Sequence, residues 1–494
     1  MNYTDAPAPQ EQTPPAVAGS KPSVDGEAAS HELTVPEGRH PMADVIRNYL
    51  SSLRNIGQTV QIVMPHLQKW LVDEIKKNEK KLSHYIPNPP KRGIPQDVTL
   101  ESARDFVEFT STIKKLEELQ SNRALPVLAR SLFMQMFCEF DAFMGSLLKT
   151  IYTRNENLLK GISREITLSD LLQYENIDAA KRAMLDKEIE TFRRDSYVEQ
   201  FVQLEKKFGL TLRKFPEWGE FVELTQRRNI FTHNDGMISD QYVLVCEREG
   251  WKFGERPKLG DTLQVDIQYF ARSLQVLSKV GFMLTHTLWA KVFPREEGDM
   301  HQSVNDCLYS ALEAKRWKTA AEFGEFALSD PMRKNVTEID LRIRVVNWAI
   351  ALKFSDRDAA AKKLLGSFDW SASYRDFKLA IHVLEDNFEE AVKIMKSIGK
   401  SGEMLQQHYY HSWPLFHKFR ERPEFYATYE TIYGEPYLAK VPQDGESKSV
   451  AISPTAPPKS ESVPRVRFRV PKAAGGATPE KPAREATQKR RKNP

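Results

Sequence analysis

Residues 227–236 read RRNIFTHNDG, so Arg228, Asn229 and His233 bring a guanidinium, an amide and an imidazole into one short apolar stretch. A guanidinium is permanently charged, and its planar fork of donors matches phosphate oxygens. An imidazole exchanges a proton near neutral pH. Together they suit cleavage of RNA without a metal ion. The histidine moves a proton at the 2′-hydroxyl or at the leaving 5′-oxygen, and the arginine stabilises charge on the phosphate. On a helix turning about 100° per residue, Asn229 shares the face of His233, while Arg228 lies about 140° away and must wrap round to join them. Asn234, Asp235 and Gly236 form a stop signal that puts His233 in the last turn, where the helix dipole favours imidazolium and Arg228 opposes it. Of the 11 histidines, only His233 has an arginine five positions earlier.

The elements that must hold these groups read almost entirely as helix. From Ile46, an apolar seam runs through Leu50, Leu53, Gly57, Val60, Met64, Leu67 and Leu71 at heptad spacing, weakened at Gly57 and interrupted at Pro65. NPPKRGIPQD (88–97) reads as a loop, one that either touches RNA or simply meets solvent. Two further helices follow, the second (ALPVLARSLFMQMFCEFDAFMGSLLKTIY) predicted to be almost wholly buried. ITLSDLL opens on a capping Ser or Thr, and DAAKRAMLDKEIETFRRDSYVEQFVQLEKKFGL reads as one or two amphipathic helices. YVLVC (242–246) is strand-like and leads into a Gly-rich connection, so this segment reads as a small hairpin or a loop. QYFARSLQVLSKVGFMLTHTLWAKVF then reads as a long apolar closing helix. From about residue 300 the pattern becomes short helical pairs in which Ala320, Ala360 and Ala391 align at spacings of 40 and 31, a loose echo of tetratricopeptide repeats. His408 and His411 have the spacing of a helical metal pair but no carboxylate or Cys partners nearby, so no metal is expected. Trp317, Trp348, Trp370 and Trp413 read as core, with a ligand groove as the alternative.

RNIFTHNDG resembles the Arg-polar-x3-His motif of the HEPN superfamily (higher eukaryotes and prokaryotes nucleotide-binding), especially its bacterial ribonuclease, toxin and phage-defence branches. The order of elements around it, from CEFDAF (138–143) to the closing apolar helix, is similar too, and the resemblance spans roughly 100–295. It implies a bundle of four or five helices, commonly dimeric, that cuts RNA without metal or other cofactor. Arg228 and His233 would be catalytic, with Asn229 the intervening polar residue. Glu139 and Asp141 stand where some relatives carry an acidic residue facing the motif. A role in stress response or phage defence follows by the same analogy. The chain holds one copy of the motif, and one imidazole cannot readily serve as base and acid on opposite sides of one phosphorus, so a homodimer is expected. The alternative is a non-catalytic dimeric adaptor whose helical-repeat region binds a protein partner.

Length and composition set the frame. The chain has 494 residues, enough for two or three domains. Cys138, Cys246 and Cys307 lie far apart, which argues against a zinc framework and for a reducing compartment. MNYTDAPAPQEQ is unlike a signal peptide, and no apolar run reaches the ~18–20 residues of a membrane span. A soluble, cytoplasmic all-α protein without a membrane segment is expected. Net charge is +4, but residues 459–494 hold 11 Lys or Arg against three Glu, while 1–38 hold six acids against one Lys. Removing both leaves +1 for 39–458, so any basic groove must be local. Both ends are rich in Pro, Ala and Ser and are expected to be disordered. The expected division is therefore 1–38 disordered, 39–299 the HEPN-like bundle, 300–440 the helical hairpins and 441–494 a basic tail. Within that tail Arg465, Arg467 and Arg469 alternate with apolar residues. They read either as a solvated segment or, with Arg227, as sequence-independent contacts to RNA.

Overall fold

The structure is a computed structural model and describes residues 40–86, 98, 100–162 and 165–437. The expectations for 1–38, for the basic tail with Arg465, Arg467 and Arg469, and for the 88–97 loop lie outside the described residues. Those residues form an all-α protein, and the only β contacts among them are isolated bridges, Met237 with Thr262 and Ser401 with Gln406. Among the described residues no helix is long and apolar enough to cross a membrane.

The bundle begins with α1 (Pro41–Tyr85), which continues through Pro65. Its buried stripe keeps part of the expected seam and moves two of its positions back by one. Ile46, Leu53 and Val60 are buried as predicted, but Tyr49 and Ile56 take the places assigned to Leu50 and Gly57. The cause is Tyr49, whose ring stacks on Phe143 at 4.4 Å and whose hydroxyl donates to the Leu277 carbonyl at 3.1 Å. Gly281 makes this possible, because a Cβ there would overlap the Tyr49 ring.

Next come α2 (Ala103–Gln120), α3 (Ala124–Arg154), α4 (Glu156–Lys160), α5 (Leu168–Leu171), α6 (Ile177–Arg194), α7 (Tyr197–Phe208), α8 (Trp218–His233), α9 (Asp240–Arg248) and α10 (Ile267–Val292). In α3 the run Phe133, Met136, Phe137, Phe140, Phe143, Met144, Leu147 and Ile151 is buried, and it packs against α1, α6, α8 and α10. α10 is buried around most of its circumference, as a helix at the centre of a bundle must be. The expected strand at YVLVC is α9 instead. Ser239 caps it by accepting the Tyr242 N–H at 3.3 Å, and Tyr242, Val243 and Cys246 turn inward together. Helical spacing of those three anchors outweighs the β-branched propensity of the run.

The second half comprises α11 (Glu297–Glu313), α12 (Trp317–Ala327), α13 (Asp330–Arg333), α14 (Glu338–Lys353), α15 (Asp358–Gly366), α16 (Arg375–Leu384), α17 (Phe388–Ile398), α18 (Tyr409–Ser412) and α19 (Pro423–Tyr433). The pairs α11/α12, α14/α15 and α16/α17 are the helical hairpins read from the sequence. Ala320 and Ala391 are buried in their second helices, whereas in α15 it is Ala361 rather than Ala360 that faces inward. Trp348 and Trp370 donate to backbone carbonyls within this region, and Trp317 stacks on Phe354, so all three serve packing. His411 likewise interacts with Tyr429 and stacks on Tyr437. The apolar core crosses residue 299 without a break, and the described residues belong to one packed unit. Phe282 of α10 stacks on Phe323 of α12 at 4.2 Å.

Candidate active site

Helix α8 ends where the sequence says it should. Asp235 (φ 47°) and Gly236 (φ 86°) both adopt left-handed backbone, and Asn234 and Gly236 donate to the Ile230 carbonyl. That geometry makes His233 the last helical residue. A clasp from α3 holds this end. Arg130 pairs with Asp235 at 2.8 Å, donates to the Phe231 carbonyl and lies over the Phe231 ring at 5.0 Å.

Beside the helix end is a cleft of about 570 Å³ bounded by α3, the α6–α7 junction, α8 and the start of α9. Arg228, Asn229, His233 and Asp141 all line it. The guanidinium of Arg228 does wrap round the helix as its angular position demands. Its Nη1 donates to Asn229 Oδ1 at 3.1 Å and its Nη2 lies 3.9 Å from Asp141 Oδ2. Its Nε is buried without a partner. The His233 ring is exposed and has no hydrogen-bonding partner among the described residues. The cleft thus offers a cation with unspent donors and a free imidazole at one mouth.

The two acids suggested by the sequence separate. Asp141 is in the cleft, where its Oδ1 accepts from the Tyr197 hydroxyl at 2.7 Å. Glu139 does not line it and instead accepts from Gln135, four residues earlier on α3, at 2.9 Å. Residues two apart on a helix point about 200° apart, so only one of the pair can face α8.

Arg227 is also reassigned. Its Nε donates to Glu223 at 2.8 Å, its Nη1 donates to the Gln264 carbonyl at 2.7 Å, and its guanidinium stacks 3.9 Å from the centre of the Tyr269 ring. Those partners tie Arg227 to the packing of α8 against α10. Glu223 is 1 % exposed and fully satisfied: Oε1 also accepts from Tyr242 at 2.6 Å, and Oε2 accepts from Tyr269 at 2.6 Å. This buried knot ties α8 to α9 and α10 directly behind the cleft.

Tyr197, Arg193 and Ser196 line the cleft and were not singled out by the sequence reading. A signal for Tyr197 exists. Ser196 and Glu199 form a capping box, a pattern that marks a helix start and puts Tyr197 in the first turn. Burial, and then the Asp141 carboxylate, push the Tyr197 phenol well above its ordinary pKa, so it stays a donor to Asp141. Among the described residues no group of three or more His, Cys, Asp or Glu is placed to hold a metal ion. Compared with known proteins, the chain matches no family model, no curated protein and no solved structure.

Proposed function

We propose that the chain is an endoribonuclease of HEPN type that acts as a homodimer and needs no metal ion. The observation that carries this reading is the convergence of Arg228, Asn229, His233 and Asp141 on one solvent-open cleft at the end of α8. Arg228 binds the scissile phosphate and stabilises the charge that grows on its oxygens. Asp141, itself held by Tyr197, positions the guanidinium. Asn229 accepts one guanidinium N–H and steadies the fork. His233 takes the proton from the 2′-hydroxyl, whose oxygen then attacks phosphorus while the 5′-oxygen leaves. That oxygen requires a proton from the opposite side, which His233 of a second copy supplies. The bonds balance as a 2′,3′-cyclic phosphate and a 5′-hydroxyl.

The test is incubation of the full-length protein with end-labelled RNA in the presence of EDTA. Cleavage leaving a cyclic phosphate, lost in His233→Ala while the dimer persists in light scattering, supports the proposal. Absence of cleavage on structured and unstructured RNA, or full cleavage by His233→Ala, overturns it and leaves the adaptor reading.

A further inference from the structure

Among the cations of the cleft at α8, one is seated but unpaired. Arg193, Arg194, Arg228 and His233 line the cleft, against Asp141 and Asp195. Arg194 pairs with Glu190 at 2.5 Å, and Asp195 accepts from Gln203 Nε2 at 2.6 Å. The positive end of α7 is already met by the Glu199 carboxylate, which accepts from the Ser196 N–H and hydroxyl. Arg193, exposed at the end of α6, makes no hydrogen bond or ion pair among the described residues. Its stem nevertheless has a seat on α3. Gly145 leaves bare backbone there, and a Cβ at that position would lie 3.5 Å from Arg193 Cδ and 3.7 Å from its Nη1. Gly145 is four residues beyond Asp141, which faces Arg228. The two arginines therefore rest on one face of α3 about one turn, roughly 6 Å, apart. Neighbouring phosphates of one RNA strand are separated by a similar step.

We infer that Arg193 is a positioning residue that holds the phosphate next to the scissile one, so that the RNA strand runs across α3 from Arg228 to the end of α6. The inference rests on the reading of this cleft as an RNA site. A guanidinium with no internal partner gives up no bond to take a phosphate, and its seat on α3 reduces the side-chain freedom lost on binding. The contact is to the backbone and carries no base preference. Stacking supplies none either, because Tyr197 and Tyr242, the aromatic residues that line the cleft, are buried with their hydroxyls donated to Asp141 and Glu223. Strands of different sequence are therefore held alike.

Fluorescence anisotropy of the full-length protein carrying His233→Ala, with dye-labelled oligouridine and oligoadenosine between about 50 and 200 mM salt, tests it. Both strands should bind within about threefold of each other. Adding Arg193→Gln should weaken both about threefold to tenfold at the low-salt end. It should also make log K against log salt shallower by about 0.7, the share of one phosphate contact on a single strand. Arg193→Lys should keep most of that slope. Lys187→Gln removes the same charge from an exposed position about 120° round α6 and outside the cleft, and should change neither quantity. An unaltered slope in Arg193→Gln, an equal loss in Lys187→Gln, or no RNA binding overturns the inference. A preference above about tenfold for one strand overturns its independence of base. Binding that depends on Arg193 in a protein whose wild type cuts no RNA retires the cleavage reading and leaves this inference in place. Cleavage by the wild type with KM unchanged in Arg193→Gln overturns this inference alone.

Discussion

Arg227 and Arg228 are chain neighbours with opposite fates. Arg227 turns inward to a carboxylate, a carbonyl and an aromatic ring. Arg228 turns to the cleft, where it donates one hydrogen bond to the amide oxygen of its neighbour Asn229, has a carboxylate 3.9 Å away and keeps an Nε with no partner. The Glu223 knot and the Arg228 cleft therefore use the same residue types on two sides of one helix. Where polar groups are saturated they specify an arrangement of helices. Where donors are left over, the side chain is not fully committed to packing. Counting unspent hydrogen-bond capacity separates the two better than counting charges does.

That contrast can be broken from either side. Glu223→Ala removes the hub and strands a buried guanidinium, so it should cost about 3–5 kcal/mol in urea denaturation. A loss below about 1 kcal/mol would mean that the knot is not structural. Arg228→Ala should lower the cleavage rate about 100- to 1,000-fold while leaving the urea midpoint close to wild type. Unfolding of this variant would move Arg228 to the architectural side.

A third effect lies where the bundle meets the hairpins. His286 is fully buried, its ring hydrogen-bonded to the Phe282 carbonyl and to Ser303 of α11. Burial lowers its pKa from 6.5 to about 4, with Arg344 and His301 acting in the same direction and the Phe282 carbonyl opposing. The unfolded chain therefore takes up this proton first as pH falls. The stability held by neutral His286 is complete above pH 6.5 and is withdrawn between 6.5 and 4, by about 3 kcal/mol in all. Urea midpoints at pH 7 and pH 5 should diverge, and His286→Gln should flatten the dependence. An unchanged slope in that variant would assign it to other groups.

The smallest effects divide the two acids of α3. Tyr197→Phe should cost about 1 kcal/mol of stability and slow cleavage by loosening Asp141. Glu139→Gln should leave cleavage within about twofold of wild type. If Glu139→Gln is the slower enzyme, the cleft assignment of the two acids is reversed.

What could be read from the chain depended on how local the deciding physics was. The stop at Asn234, Asp235 and Gly236 is written in adjacent residues, so the position of His233 at a helix end was legible. The choice between Glu139 and Asp141 needed the rotation of α3, which only its packing against α1 and α8 determines. Glu223 reads as a solvated helical acid. Its partners Tyr242 and Tyr269 come from distant segments, so its role as a hub was not legible. At Leu50 the seam of α1 was displaced by one position because a tyrosine found a glycine on α10, a contact 232 residues away in the chain. In YVLVC the local preference was real but lost to three inward anchors.

Helix α10 is a party wall. One side presses on Tyr49 and the α3 aromatics, and the other stacks Phe282 on Phe323 and sends His286 to Ser303. A chain severed at residue 299 would leave that wall with one bare plaster face of leucine and phenylalanine, greasy enough to glue copies together. The hairpins are thus no detachable accessory, and nothing that tilts them can leave the bundle undisturbed.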